Sequence, residues 1–370
     1  MIKKIYKKLS RFFGLESKFN NKKTRHNLAS IFKEEIKDEL SFLYSNRCHS
    51  EDFYLDSIAF HPMAAGTYMS SLASITNLDL NKYSPLLDKI VADLTDTFIK
   101  TEYFSGWGLN FTPTIETSSE YQEHEIFLIT TSVVLRGLKD ISKHSNQNQN
   151  LLKGINDLKE TAYKGIAAWN KTDHIYHYSS SKKPILNAHM HLLETLYDDP
   201  VLSFSKELLA STKKFCDLHF NSELGFRYAP NNHTYDLSHI IFVLSAYKKY
   251  FDFDINLEKP ILSKYFLEDK LITYTENKVK VFNPFKISIF NNVNYINHDA
   301  RLWDYGLLLW FIASTKADFS LSELRSISER LIQQVHNNKL KKPFSRERAF
   351  YFMGLIKMYK KIFDQDIRFL

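Results

Sequence analysis

The stretch ARLWDYGLLLWFIA, residues 300–313, is followed by LSELRSISERLIQQV, residues 321–335. In the first, Leu302, Tyr305, Leu307, Leu308, Leu309, Trp310 and Phe311 leave no water-facing stripe, so such a helix must be covered on all sides. In the second, Leu324, Ile327, Leu331 and Val335 recur three or four residues apart among charged neighbours, the pattern of a helix with one wet face. The apolar run YGLLLWFIA falls well short of the ~20 residues that cross a bilayer. The cover is therefore protein.

The same pairing recurs along the chain, at intervals of roughly 50 to 65 residues. Apolar segments begin at Ser57 (SIAFHPMAAGTYMSSLASI), His124 (HEIFLITTSVVLRGL), Asn187 (NAHMHLLETLY), Ser238 (SHIIFVLSAYKKY), Ala300 and Glu347 (ERAFYFMGLIKMYKKIF). Half-polar segments lie between them: IFKEEIKDELSFLY, SPLLDKIVADLTDTFIK, LLKGINDLKETAYKGIAAW, SKELLASTKKFCDLHF, LEKPILSKYFL and the 321–335 stretch. Six buried helices, each with a partner facing water, predict an all-α (α/α)6 toroid of about twelve helices spanning residues 26–370. An open solenoid of helix pairs has the same period.

The connections favour the closed form. YFSGWGLNFTPTIETSSEYQEHE, DHIYHYSSSKKPILNAHMH, LGFRYAPNNHTYDLSH and the long 272–301 segment read as short β-hairpins or long loops, each leading to the head of an inner helix. Polar residues gather at those heads. Glu120, Glu123, His124 and Glu125 precede the second apolar segment; Asn187, His189, His191 and Glu194 begin the third. Tyr235, Asp236 and His239 open the fourth, and Asn297, His298, Asp299, Arg301 and Asp304 the fifth. Four repetitions predict a shared pocket mouth. Asp236 and Asp299 also stand where a carboxylate caps a helix, and lone histidines such as His61 and His233 read as satisfied core or loop residues. His189 and His191 are two apart and face different ways. With no HExxH pattern, no metal site is expected. Trp107, Tyr178, Tyr228, Tyr235 and Trp303 offer flat rings suited to packing or to the apolar faces of sugars.

Composition removes other classes. Gly 10 is low for 370 residues, and neither GxGxxG nor GxxxxGK[ST] occurs, so a nucleotide-binding α/β layout is excluded. Cys48 and Cys216, the two cysteines, read as reduced structural thiols. Residues 1–25 hold nine Lys or Arg and one Glu, against a whole-chain net charge of +7, so the remainder is near neutral and no nucleic-acid surface is expected. Ile2, Ile5, Tyr6, Leu9, Phe12 and Phe13 recur at helical spacing among the lysines, making this arm a basic amphipathic helix for an anionic membrane surface or a protein partner. Its lysines are followed by no apolar run, so no secretory signal is expected.

NAHMHLLETLY resembles the N-x-x-M-H-L-L-E motif of the N-acylglucosamine 2-epimerase and aldose–ketose isomerase family. That resemblance implies an (α/α)6 toroid with the motif on its third inner helix, Asn187 and His191 in the sugar site, and His191 as a proton-transfer residue. His239 is similar to the family's histidine at the head of the fourth inner helix. The chain departs from the family at Phe242, where a glutamate is expected. It departs again at KKPFSRERAF, where a catalytic histidine precedes the last inner helix, and at FHPMAAGTYM, which lacks an expected arginine. The string around Arg301 echoes that arginine motif in another helix.

The expected function is carbohydrate-active, in bacterial polysaccharide metabolism at a cytoplasmic, membrane-near location. The leading chemistry is epimerisation or isomerisation by histidine proton transfer, with His191, His239, Asp236 and Arg301 catalytic. Asn187, Glu194, Trp107, Tyr235, Glu120, His298, Asp299, Trp303 and Asp304 are the expected sugar contacts. No cofactor is expected. Glycan cleavage, by a glycoside hydrolase with paired carboxylates or by a polysaccharide lyase through Tyr235, His239 and Arg301, and a noncatalytic glycan-binding or scaffold role in exopolysaccharide biosynthesis, are the alternatives.

Overall fold

A computed structural model describes residues 22–52, 55–75, 80–102, 104–109, 125–144, 148–179, 184–197, 205–222, 224–227, 234–251, 261, 265–267, 270–271, 274–276, 300–314 and 319–363. Eleven helices lie among them. In chain order they are α1 (Lys22–Asn46), α2 (Pro62–Ala73), α3 (Leu80–Asp96), α4 (Leu128–Ser142), α5 (Gln149–Ala167) and α6 (Leu186–Thr195). Then come α7 (Lys206–His219), α8 (Leu237–Tyr250), α9 (Leu302–Ser314), α10 (Leu321–Asn337) and α11 (Ser345–Phe363).

The apolar helices close a ring. α2 packs against α4, α4 against α6, α6 against α8, α8 against α9, α9 against α11, and α11 returns to α2. A solenoid would leave that last contact unmade, so the toroid is the fold. Outside the ring, α1 lies on α11, α10 on α9 and α11, and α5 on α3 and α4. The segment expected as the sixth outer helix, 257–267, falls mostly outside the described residues; its Ile261 is fully buried. The basic arm falls outside them up to residue 21. No described helix is long and apolar enough to cross a membrane.

Small strands link the helices. β1 (His49–Asp52) and β2 (Leu55–Phe60) form an antiparallel hairpin before α2. This corrects the expected helix start at Ser57: Pro62 suits a first helical turn, and it holds the preceding His61 in an extended conformation, φ −111° and ψ 97°. Two-residue hairpins precede α4 (β3 Ile99–Lys100, β4 Ser105–Gly106) and α6 (β5 Lys171–Thr172, β6 Ile175–Tyr176). A third, β7 Phe220–Asn221 with β8 Gly225–Phe226, comes before α8. β9 (Thr234–Asp236) instead pairs across α8 with β12 (Tyr274–Glu276), beyond the small hairpin β10 (Phe266–Leu267) and β11 (Lys270–Leu271). That pairing fixes Asp236 at the head of α8.

Two pairs of inner helices touch backbone to backbone. A Cβ added at Gly66 of α2 would lie 2.6 Å from the Val133 carbonyl oxygen of α4, and Gly306 of α9 faces Gly354 of α11 in the same way. Closure is reinforced outside by a clasp between α1 and α11. Arg348 donates to both oxygens of Glu39 at 2.8 and 2.9 Å, and to Asp38 at 2.8 Å. Tyr351 donates its hydroxyl to Glu35 at 2.9 Å, and Lys341 pairs with Glu35 and Asp38 at 2.9 and 2.8 Å. Glu39 has no exposed surface, so it depends on the guanidinium. Arg348→Met keeps the aliphatic stem and strands that carboxylate; unfolding in urea should show a loss of about 3–5 kcal/mol, largely recovered when Glu39→Gln is added.

Candidate functional site

The heads of the inner helices meet at one end of the ring. Leu302 at the start of α9 donates its N–H to Glu347 of α11 at 3.2 Å, and Leu128 of α4 donates to the carbonyl of Tyr178 at 2.8 Å. The other ends meet likewise: Lys360 of α11 reaches the Ser74 carbonyl after α2, and Lys139 of α4 reaches that of Thr195, each at 2.7 Å. Six N-termini converging on one mouth sum their partial positive charges there, and acidic side chains answer them.

Asp236 caps α8, accepting from the His239 backbone N–H at 3.1 Å and from the Ser238 hydroxyl. The same oxygen lies 3.3 Å from His239 Nδ1, and its other oxygen 3.7 Å from an Arg301 Nη. Asp304, fully buried in the first turn of α9, accepts from the Arg301 N–H at 2.8 Å and lies 3.5 Å from its Nε. The Arg301 guanidinium is therefore held from two carboxylates, and it rests 4.2 Å from the Trp303 ring centre. Arg346 comes to the same ring at 5.3 Å. Its other end donates to Asp52 at 2.8 Å, and His61 Nδ1 stands 4.0 Å from that carboxylate while its Nε2 meets the Ser50 carbonyl. The cap reading of Asp236 and the satisfied-core reading of His61 both hold; Asp236 holds an arginine as well.

Glu347 is the residue the sequence reading missed. It follows Arg346 in the chain and accepts the N–H of Leu302, next to Arg301, and burial pushes its carboxyl up to about 7. The two guanidiniums pull it down while Asp304 and Asp52 push it up. The signal was present in SRERAF: a glutamate bracketed by arginines at the head of an otherwise apolar helix. His239 is shifted below the ordinary imidazole value by burial, against the pull of Asp236 and with a further push from Arg301. Its side chain is 24% exposed, enough for a ligand to touch. Asn187, in the first turn of α6, is buried with Oδ1 lacking a hydrogen-bond partner among the described residues.

His191 is elsewhere. It lies deeper on α6, where Nδ1 meets the Ser132 hydroxyl at 2.9 Å and the Phe242 ring abuts it edge-on, centres 5.0 Å apart. Phe242 in turn packs on Phe350, and Phe350 on Trp303. These phenyl rings floor the polar mouth, and a void of only about 10 Å³ lies below them beside His191. Burial drives the His191 imidazole down to about 3, with Arg136 and Lys249 adding to the shift and Glu194 opposing it. The imidazole expected as an acid–base group thus lies 2% exposed among these rings and not at the mouth.

Glu194 belongs to the far end of the ring, paired with Arg136 at 3.5 Å and Lys249 at 3.2 Å. His189 faces outward, as its spacing from His191 required, and bonds Thr212 at 2.9 Å. Two expected sugar contacts are also corrected. Trp107 is fully buried and donates its indole N–H to the Leu94 carbonyl at 2.8 Å. Tyr235 is fully buried with its hydroxyl accepting from Arg227 Nε at 3.0 Å. Glu120, His298 and Asp299 lie outside the described residues, as do Glu123, His124, Asn297, Tyr228 and His233. Cys48 and Cys216 are buried and unpaired to one another. Among the described residues no group of three or more His, Cys, Asp or Glu could hold a metal ion.

By sequence, neither a protein family nor a curated protein matches the chain. Solved structures do match its fold. A cellobiose 2-epimerase from Bacillus thermoamylovorans is 13% identical with a TM-score of 0.56, over 90% of this chain and 99% of that one. An alpha-amylase from Clostridium perfringens is 9% identical, TM-score 0.55, over 88% and 97%. A reducing-end-xylose releasing exo-oligoxylanase is 11% identical, TM-score 0.51, over 90% and 93%. At such identities the likeness is one of architecture.

The placement of His191 has a direct readout. In a side-chain NMR titration its resonances should stay those of a neutral ring from pH 8 down to about 4, because protonation awaits a pH near 3. A midpoint near the ordinary imidazole value of about 6.5 would contradict the buried placement.

Proposed function

We propose that this chain is a carbohydrate-active enzyme that moves a proton on a sugar, as in epimerisation beside a carbonyl, with His239 and Glu347 as its two proton-exchanging groups. One observation carries the reading: Arg301 lies 3.7 Å from the Asp236 carboxylate that His239 Nδ1 approaches to 3.3 Å, and the next residue, Leu302, donates its N–H to Glu347 at 3.2 Å. Proton removal next to a carbonyl needs a base on the carbon, a cation on the developing oxyanion and an acid to return the proton. His239, lowered by burial and oriented by Asp236, supplies the base in its neutral form. Glu347, raised to about 7, supplies the acid. Arg301, steadied by Asp236, Asp304 and the Trp303 face, supplies the cation. Asn187 offers an acceptor to a hydroxyl.

The family resemblance supports this assignment in an altered form. Glu347 stands at the head of the last inner helix, where that resemblance implies a histidine, and the phenyl ring of Phe242 takes the place of a glutamate. The cellobiose 2-epimerase fold supports it further. A second reading, cleavage of a glycosidic bond, draws on the carboxylates Asp236, Asp304 and Glu347 around one mouth and on the amylase and oligoxylanase folds.

One experiment separates them. The protein is incubated in D2O with cello-, malto- and xylo-oligosaccharides and with acidic oligosaccharides. Deuterium entering a sugar carbon without chain shortening supports proton transfer; new reducing ends at constant deuterium overturn it in favour of cleavage. Binding without either change assigns the noncatalytic role. Where deuterium exchange is found, its rate should fall above pH 7 as Glu347 loses its proton. Glu347→Gln should lower that rate by ~10²–10⁴-fold and abolish the falling limb. The same carboxyl sets a stability trend. Its folded pKa lies above the unfolded value, so wild type loses stability as pH rises from about 4.5 to about 7, and Glu347→Gln should flatten that slope in pH-resolved thermal melting.

A further inference from the structure

The end of the ring opposite the polar mouth holds a recess of about 280 Å³ between the ends of α2 and α4 and the flanks of α9 and α11. That volume lies near the lower end of the ~300–1,000 Å³ usual for small-molecule pockets. Its charged lining is Arg136, Lys143, Lys357 and Asp140: three cations against one carboxylate. The carboxylate is already engaged, accepting from the Ser70 hydroxyl at 2.6 Å and pairing with Lys143 at 3.2 Å and Arg136 at 3.9 Å. Arg136 is fixed in place by Glu194 at 3.5 Å and by the Trp310 ring, whose centre is 5.4 Å from its Cζ. Lys357 differs from these. Among the described residues its ammonium makes no hydrogen bond or ion pair.

Helix C-termini carry a partial negative charge, which would oppose an anion here. Lys360 and Lys139 already cover the terminal carbonyls of α2 and α6, and a half-charge per helix end is smaller than the full ammonium charge of Lys357. Lys357 registers the surplus: desolvation of its ammonium in the recess, Arg136, Lys360 and Lys249 all lower its proton affinity, with Asp140 opposing. A dianion would neutralise it. A phosphate monoester carries about −1.5 to −2 at neutral pH with three acceptor oxygens, and Trp310 with Met353 gives a flat apolar wall for the body that bears the phosphate.

We propose that this recess binds the phosphate group of a small phosphorylated molecule, with Lys357 as its cation uncommitted among the described residues, Lys143 and Arg136 as cations shared with Asp140 and Glu194, and Trp310 as the wall. The site is separated by the Phe242 and Phe350 layer from the mouth of the ring, and it does not depend on the chemistry proposed there. Isothermal titration calorimetry of the full chain tests it with three probes: glucose 6-phosphate, inorganic phosphate and glucose. The expected result is binding of the ester, no heat with glucose, and affinity falling with added salt. Lys357→Ala, at an exposed position, should leave the melting temperature unchanged and weaken the ester by about tenfold, while Lys357→Arg keeps it. Inorganic phosphate binding as tightly as the ester also supports the oxyanion site and removes Trp310 from recognition. No binding of either phosphate at ~10 mM, or affinity indifferent to Lys357→Ala, overturns the proposal.

Discussion

The contact of α11 with α2 is the constraint on which everything else rests. Until it forms, five helices that are apolar on nearly every side have only partial cover, and no common mouth exists. Closure brings Arg346 and Glu347 of α11 beside Asp52, Arg301 and Trp303, groups separated by dozens to hundreds of residues in the chain. It also explains why polarity is tolerated in buried positions around that seam. Glu39 and Arg348 carry full hydrogen bonding to one another, and a desolvated pair that is well matched costs little net free energy while either partner alone is prohibitive.

A ring of helices with their heads together is electrically polarised. The mouth collects Asp52, Asp236, Asp304 and Glu347, and the far end collects Arg136, Lys139, Lys143, Lys249, Lys357 and Lys360. Each set opposes the helix-end charge it faces. At the mouth the acids recruit Arg301 and Arg346, and the resulting crowd of like and unlike charges leaves one carboxyl shifted close to neutrality. At the far end the cations outnumber the acids. The two ends therefore offer opposite chemistry on one scaffold, and the phenyl layer between them keeps a continuous aqueous path from joining the two.

The ring was legible because periodicity reports burial. Leu302 to Phe311 can only be a helix covered all round, and its alternation with stretches such as 321–335 names the inner and outer layers. Asp236, His239, Arg301 and Asp304 were legible as polar residues at helix heads. Depth was not. Position 191 shares its helix face with Asn187, yet the two are about a helical pitch apart along the axis, which separates a buried acceptor without a hydrogen-bond partner among the described residues from an imidazole under phenyl rings. Trp107 and Tyr235 show the same limit: an aromatic residue on a connection looks identical in sequence whether it faces a sugar or a neighbouring helix. Glu347 was overlooked because, beyond its neighbour Arg346, the groups that perturb it are Asp52 of β1 and Arg301 and Asp304 at the head of α9.

The clasp joins the first described helix to the last, and this shapes how the chain can mature. Synthesis delivers α1 and α2 well before α11 exists, and domains begin to organise from the N-terminal side as they emerge. Glu35, Asp38 and Glu39 then wait through the translation of some three hundred residues for Arg348 and Tyr351, while oily helix faces stand open. Such long-range pairing makes for slow folding, and those faces stay open on the nascent chain until α11 leaves the ribosome.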